Sequence, residues 1–393
     1  MKNKNVLTWL FVTSLALPVV STLAAEGGQN WWEVRNRVRV EYDDNIYESA
    51  QDASDSFKLI EEVEFHGNIQ LQQSFIGIRY RPSFTYWTDR DPDDTDLHHD
   101  LDLVLNHRFT PNTRLGFKNT FRIAEQPELI ENGAQIRAND DYTMNTTDLN
   151  AEHSFTRNVF GRIGGRYKIL EYDRAELAET DNYDIWSAGV SGGMRIKPET
   201  TLSGEYRYEQ TSYDNTGDLD RDSSSQYVGL NLEQTFSPTL LGSLRAGYQN
   251  KSFDADEISD ESSPYFDAKL TMVASKATRI SAGIGYSMFE ADVYPFTSQD
   301  RTLASLSVAH DITARVALYV TGSYQLSEYS GNQSLDQTAS DGEEEILQAS
   351  ARLAYMINRS NWIELGYQYL DLSSDFREEF DRNRVSIGWR TNL

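Results

Sequence analysis

Apolar and polar residues alternate with a period of two through most of the chain. In Trp32–Tyr42, Val34, Val38, Val40 and Tyr42 fall on one face, and Arg35, Arg37, Arg39 and Glu41 on the other. Side chains point to opposite sides of a strand at every step, so this alternation predicts a strand with one apolar and one charged face. The pattern returns in 114–124, where Leu115, Phe117, Phe121 and Ile123 oppose Arg114, Lys118, Thr120 and Arg122. It returns in 201–213, and it closes the chain, with Val385, Ile387, Trp389 and Leu393 against Arg384, Ser386, Arg390 and Asn392. No stretch of similar length beyond the first 25 residues carries a helical stripe.

A longer rhythm is superimposed. Turn-like segments at 71–74, 110–113, 156–158, 197–200, 237–239, 275–278, 312–314 and 357–360 have centres roughly 37 to 45 residues apart. Between them lie longer polar segments at 43–57, 88–96, 125–141, 173–182, 214–225, 254–264, 290–300, 330–343 and 373–381. A fixed period of this size predicts a repeated unit, and alternation makes that unit a hairpin. The fold expected is an all-β, transmembrane, antiparallel up-and-down β-barrel of about 18 strands (16 to 18), each of about 10 to 14 residues. It has long acidic extracellular loops, short periplasmic turns and both termini at the short-turn end. A soluble propeller also repeats near 40 residues. The strict alternation of long and short connections favours the barrel.

Residues 1–25 stand apart. Lys2 and Lys4 precede an apolar run of about fifteen residues, Val6 to Val20, and the small residues Ser21, Thr22, Ala24 and Ala25 follow. This is the layout of a secretory signal peptide. The expected division is 1–25 signal peptide and 26–393 outer-membrane barrel.

Charge then sharpens the picture. The chain carries 61 acidic and 36 basic residues, for a net charge of −25, and no cysteine. That balance argues against nucleic acid as a partner, and the absence of cysteine removes thiolate metal sites and thiol nucleophiles. The nine long segments hold 38 of the acids and only five bases. The cluster Asp89, Asp91, Asp93, Asp94 and Asp96 has the oxygen donors of a divalent-cation loop, which could bridge to lipopolysaccharide phosphates. The plainer reading is a solvated surface, and no segment has the spacing of a dedicated calcium loop.

The inward face should be different. A basic wall is expected from Arg35, Arg37, Arg39, Arg79 and Arg81, continued by Arg114, Lys118, Arg122, Arg162 and Arg166. Glu62, Glu64, Asp100, Asp102 and Glu152 are the expected acidic pore-lining partners. Arginines facing acids across a constriction set a transverse field, and basic rings favour anions. The alternative is an interior closed by Arg–carboxylate pairs.

Chemistry of other kinds is sparse. His98 and His99 beside Asp96 and Asp100 suggest a rim site able to activate water, but the same segment also reads as ordinary polar rim. No catalytic set, metal site or cofactor is called for. Aromatic residues gather at strand ends. Trp32, Phe109, Phe155, Phe236, Tyr355 and Trp362 mark one level. Tyr42, Tyr86, Trp87, Tyr172, Tyr213 and Phe289 mark the other. These levels read as two headgroup girdles.

The segment Val34-Arg35-Asn36-Arg37-Val38-Arg39-Val40-Glu41-Tyr42-Asp43-Asp44-Asn45-Ile46-Tyr47 resembles the opening of an outer-membrane β-barrel porin family, in which a Tyr-Asp-Asp-Asn step follows the first strand. Arg384-Val385-Ser386-Ile387-Gly388-Trp389 is similar to that family's closing strand. The resemblance implies an outer-membrane location, lipid and lipopolysaccharide as surroundings, and insertion by the barrel-assembly machinery. It also implies a link to exopolysaccharide export, with an acidic polysaccharide as a partner, and it brings no catalytic residues. Two functions are therefore carried forward: a channel for a hydrophilic, anionic solute, and a non-conducting surface barrel.

Overall fold

In the computed structural model the described residues are 31–90, 94–124, 141–214, 221–291, 296–330, 341–376 and 378–393. Among them eighteen strands form a single sheet. They are β1 (Trp32–Asp43), β2 (Ser56–Gln70), β3 (Ser74–Trp87), β4 (Thr95–Thr110), β5 (Thr113–Ala124), β6 (Tyr142–Ser154), β7 (Val159–Tyr172), β8 (Tyr183–Lys197) and β9 (Thr200–Tyr213). The second half comprises β10 (Ser223–Ser237), β11 (Leu240–Phe253), β12 (Glu261–Val273), β13 (Thr278–Glu290), β14 (Ser298–Thr313), β15 (Val316–Tyr329), β16 (Gly342–Asn358), β17 (Asn361–Ser374) and β18 (Phe380–Asn392). Each pairs antiparallel with the next, and β18 pairs with β1 to close the barrel. A propeller would divide these strands among separate blades. One closed sheet replaces that alternative.

Closure is what a membrane demands of a sheet. Every backbone donor and acceptor in the hydrocarbon layer finds a partner in a neighbouring strand, and no edge is left. The outward face meets lipid: Ile163, Val228, Leu230 and Ile387 are all more than half exposed. The strands run 12 to 17 residues, longer than the alternation suggested, because they continue into the acidic segments. Asp43, Asp96 and Asp300 thus belong to strand ends rather than to free loops. A seven-residue helix, α1 (Ala175–Asp181), lies in the connection between β7 and β8, where no helix is expected from the pattern.

Six of the eight short turns share one device. Thr110, Thr156, Ser237, Ser275, Thr313 and Asn358 each accept a hydrogen bond from the backbone N–H two residues on, at 3.0–3.2 Å. Small oxygen-bearing side chains mimic a backbone turn in this way. At β4, β8, β10, β14 and β16 the register shifts by one residue just before the turn, a bulge that tightens the strand into it.

The girdles are only partly as expected. Trp32, Phe109, Phe155, Phe236 and Tyr355 are exposed on the outward face at the short-turn level, and Tyr86 at the other. Trp87, Tyr172 and Tyr213 instead point inward and are buried, and Phe289 lies beneath Arg301 on the inner face. Trp362 also points inward, under Arg390. The strands continue in register through these positions, so Trp87, Tyr172, Tyr213 and Trp362 keep the inward face of Arg81, Arg166, Glu205 and Glu364.

Candidate functional site

The inward positions of successive strands follow from the cross-strand register. Arg35, Arg37 and Arg39 on β1 stand opposite Glu64, Glu62 and Ile60 on β2. Arg79 and Arg81 on β3 stand opposite Asp102 and Asp100 on β4. Arg114, Lys118 and Arg122 on β5 meet Glu152, Asp148 and Met144 on β6, and Arg162 and Arg166 on β7 meet Glu152 and Asp148. All ten basic positions named from the sequence therefore share the inner face with all five acids.

Their arrangement differs from a field across a constriction. Bases and acids sit side by side on neighbouring strands. Arg35 is 3.3 Å from Glu64, and Arg37 3.4 Å from Glu62, which also pairs with Arg39. Arg79 and Arg81 converge on Asp100 at 3.1 and 2.9 Å, and Arg79 reaches Asp102 as well. Arg114 and Arg162 share Glu152 at 3.1 and 2.7 Å, and Arg166 holds Asp148 at 2.6 Å. The cause is the pleat. Inward residues on adjacent strands lie about 5 Å apart, close enough for an ion pair, whereas the opposite wall of an 18-stranded barrel is far beyond reach.

The basic face also extends further round the barrel than the first half of the sequence suggested. Closure places β17 and β18 beside β1, so Arg352, Arg384 and Arg390 continue it across the seam. The acid at their centre is Glu364, which touches Arg37, Arg352 and Arg390. Alternation marked Glu364 as inward. Arg352 and Arg390 reach it from the adjacent strands β16 and β18, and Arg37, on β1, reaches it only because the sheet closes.

The two ends of the interior contrast. Toward the short-turn end, inward side chains such as Arg108, Arg195 and Arg279 are exposed to water. Toward the long-loop end, inward Lys58, Tyr142, Gln249, Tyr329 and Arg382 are buried. Ile46, Ile258 and Phe296 from the connections are buried at that end as well, and Phe296 packs with Tyr329 and Phe376. A buried ion network accompanies them. Asp43 is held by Arg382 at 2.6 Å and Lys58 at 2.8 Å. Next to it, Asn383 donates to Asp44 from its backbone and side-chain nitrogens at 2.6 and 2.9 Å, and Asn45 Nδ2 donates to the Asp381 carbonyl at 3.1 Å. The Tyr-Asp-Asp-Asn step is thus a clasp between the first and last strands.

The other candidates disperse. His98 and His99 point to opposite faces of β4, His98 inward and His99 outward, where its Nδ1 meets the Tyr80 hydroxyl at 2.9 Å. A shared rim site for the pair is incompatible with the pleat. His66 pairs with Glu64 on the inner face. In the acidic loop, Asp91 and Asp93 lie outside the described residues. Asp89 accepts from Thr88, the Asp94 carbonyl accepts from the Trp87 N–H, and the Asp96 carboxylate is held by Arg90 and the Trp87 indole N–H. Among the described residues no group of three or more carboxylates or imidazoles is placed to hold a metal ion.

Comparison with known proteins adds the following. The family model described as Putative beta-barrel porin 2 matches residues 34–393. No curated protein matches the sequence. Among solved structures, the outer-membrane protein opdK of Pseudomonas aeruginosa aligns over 92% of this chain and 99% of its own, at 11% identity and a TM-score of 0.49. OccAB3 of Acinetobacter baumannii aligns over 92% and 99%, at 12% identity and 0.48. Likenesses at these scores carry no argument about what this chain passes.

Proposed function

Since this chain belongs to the family Putative beta-barrel porin 2, we propose that it forms a water-filled outer-membrane channel for hydrophilic, anionic solutes. The observation that supports this reading is the inner face. Inward bases outnumber inward acids there, and Arg35, Arg81, Arg162 and Arg352 keep about a third of their side-chain surface open to water while paired. Guanidinium groups that are paired but not covered retain donors for a passing anion. Acidic polysaccharide, suggested by the resemblance to exopolysaccharide-linked barrels, belongs to this solute class. The acidic rim would face lipopolysaccharide, with divalent ions between.

Single-channel recording of the refolded protein in a planar bilayer, with a salt gradient, tests the reading. It predicts stable open steps with anion preference, and a shift toward cations in R35Q/R37Q/R39Q. Absence of steps from protein shown to be folded and inserted rejects it. The burial of inward residues at the long-loop end favours a second reading, a non-conducting surface barrel, and that same silent result is its prediction. Residues 1–25, outside the described residues, are read as a cleaved export signal. Mass measurement of the outer-membrane form tests this: an intact N-terminus there rejects it.

A further inference from the structure

At the closing seam, four strands bring three guanidinium groups onto one carboxylate. Glu364 on β17 is only 3% exposed. Arg37 Nη2 lies 2.8 Å from its Oε2, Arg390 Nη1 3.2 Å from its Oε1, and Arg352 Nη1 3.8 Å from its Oε1. The contacts are ionic rather than well-directed hydrogen bonds. Both Glu364 oxygens, and the Nε groups of Arg37 and Arg390, are buried without a hydrogen-bond partner. Arg37 also has Glu62 at 3.4 Å, but that carboxylate is shared with Arg39 and Arg81. Positive charge therefore exceeds negative at this point.

The guanidinium groups are also held in place. Arg390 lies over the Trp362 ring at 4.5 Å and Arg352 over the Tyr319 ring at 4.7 Å. An aromatic face attracts the cation and fixes its plane, leaving the N–H edges free to turn to a ligand. The side chains of Arg37, Arg352 and Arg390 keep 27%, 32% and 30% of their surface exposed to the interior. Clamped, under-neutralised and water-facing guanidiniums match the fork geometry of an oxyanion.

We propose that Arg37, Arg352 and Arg390, gathered by Glu364, form an oxyanion-binding station on the inner wall, taking the phosphate or carboxylate group of a solute. This deepens the channel reading and rests on its water-filled interior. The test is calorimetric titration of inorganic phosphate, and separately of acetate, into the folded, detergent-solubilised full chain at constant ionic strength. Saturable binding of at least one is expected. R352Q/R390Q should weaken it by about tenfold or more, since the charged donors of two guanidinium forks are lost. K269Q/R279Q removes the same charge from inward positions on β12 and β13. It should change affinity by less than about twofold, because screening confines electrostatics in water to about 10 Å. If R352Q/R390Q fails to fold, R352K/R390K, which keeps charge but loses the fork, should show a clear loss. No saturable binding by the wild type, or equal losses in the two charge-removal variants, overturns the station. The titration needs no conduction. A silent bilayer with intact binding rejects the channel alone, and open steps without binding reject the station alone.

Discussion

At the residue scale, the most consequential side chains are those that tie neighbouring strands. Asp43 is fully buried and Arg382 nearly so, at 0% and 2% exposure. Removing Asp43 takes the bidentate partner from the buried Arg382 and one of two partners from Lys58, leaving them with Glu48 and Glu41 alone. Asp43→Ala should therefore lower the unfolding free energy in lipid vesicles by about 3–5 kcal/mol, read from a denaturant titration. D43A/R382A should cost less than the sum of its singles, because both remove the same buried pair. Additive losses would refute the clasp. A second residue-level constraint is Gly247. A Cβ there would lie 2.2 Å from the Val228 carbonyl and 2.5 Å from Tyr265 Oη, whose ring covers the wall at this point. The ring can shift, but the strand carbonyl cannot. Gly247→Ala should destabilise by about 1–3 kcal/mol in the same titration. Gly192 on β8, which has open space around its Cβ position, should accept Ala with little change.

At the element scale, the strand is defined by two environments that alternate every residue. Leu230 on β10 is 60% exposed on the outward face, and Asn231 beside it points inward toward Glu205 and Arg245. Leu230→Arg should cost about 2–4 kcal/mol of unfolding free energy in vesicles, the penalty for a cation near the bilayer midplane. Asn231→Lys, one residue away, should cost far less, because it faces water and Glu205. Equal costs would mean that the register of β10 is misplaced. The hydroxyl-capped turns operate at the same scale. Together with the other short turns they end every second strand without a long loop, which gives the chain its forty-residue rhythm.

At the whole-molecule scale, charge is sorted along the axis and around the wall. Most acids crowd the long-loop end, and the bases collect inside. The sum at −25 hides this separation. Anion preference should therefore fall toward neutrality as salt rises, because screening shortens with ionic strength. Reversal potentials measured at about 0.1 M and 1 M salt check this. A preference unchanged by salt would mean that pore width rather than the inner-wall charge sets selectivity.

The sequence by itself determined an antiparallel meander of about 16 to 18 strands and the face of most of its charged positions. It could do so because a strand in a membrane barrel has lipid on one side and water on the other, and that contrast is written into every second residue. Arg35, Glu62, Asp100 and Arg166 were legible as inward for this reason. What alternation cannot encode is who meets whom. The clasp of Asp43 with Arg382 and the contact of Arg37 with Glu364 join residues more than three hundred positions apart, and they exist only because the sheet closes. Trp87, Tyr213 and Trp362 are a different case. Their position near a strand end suggested a girdle, but alternation carried on from Arg81, Glu205 and Glu364 in the same strands puts all three on the inner face. The covering of the inner wall at the long-loop end is likewise a tertiary decision. It includes Phe296 packing against the inward Tyr329, and side-chain burial of that kind follows from the packing of separate connections rather than from any local period.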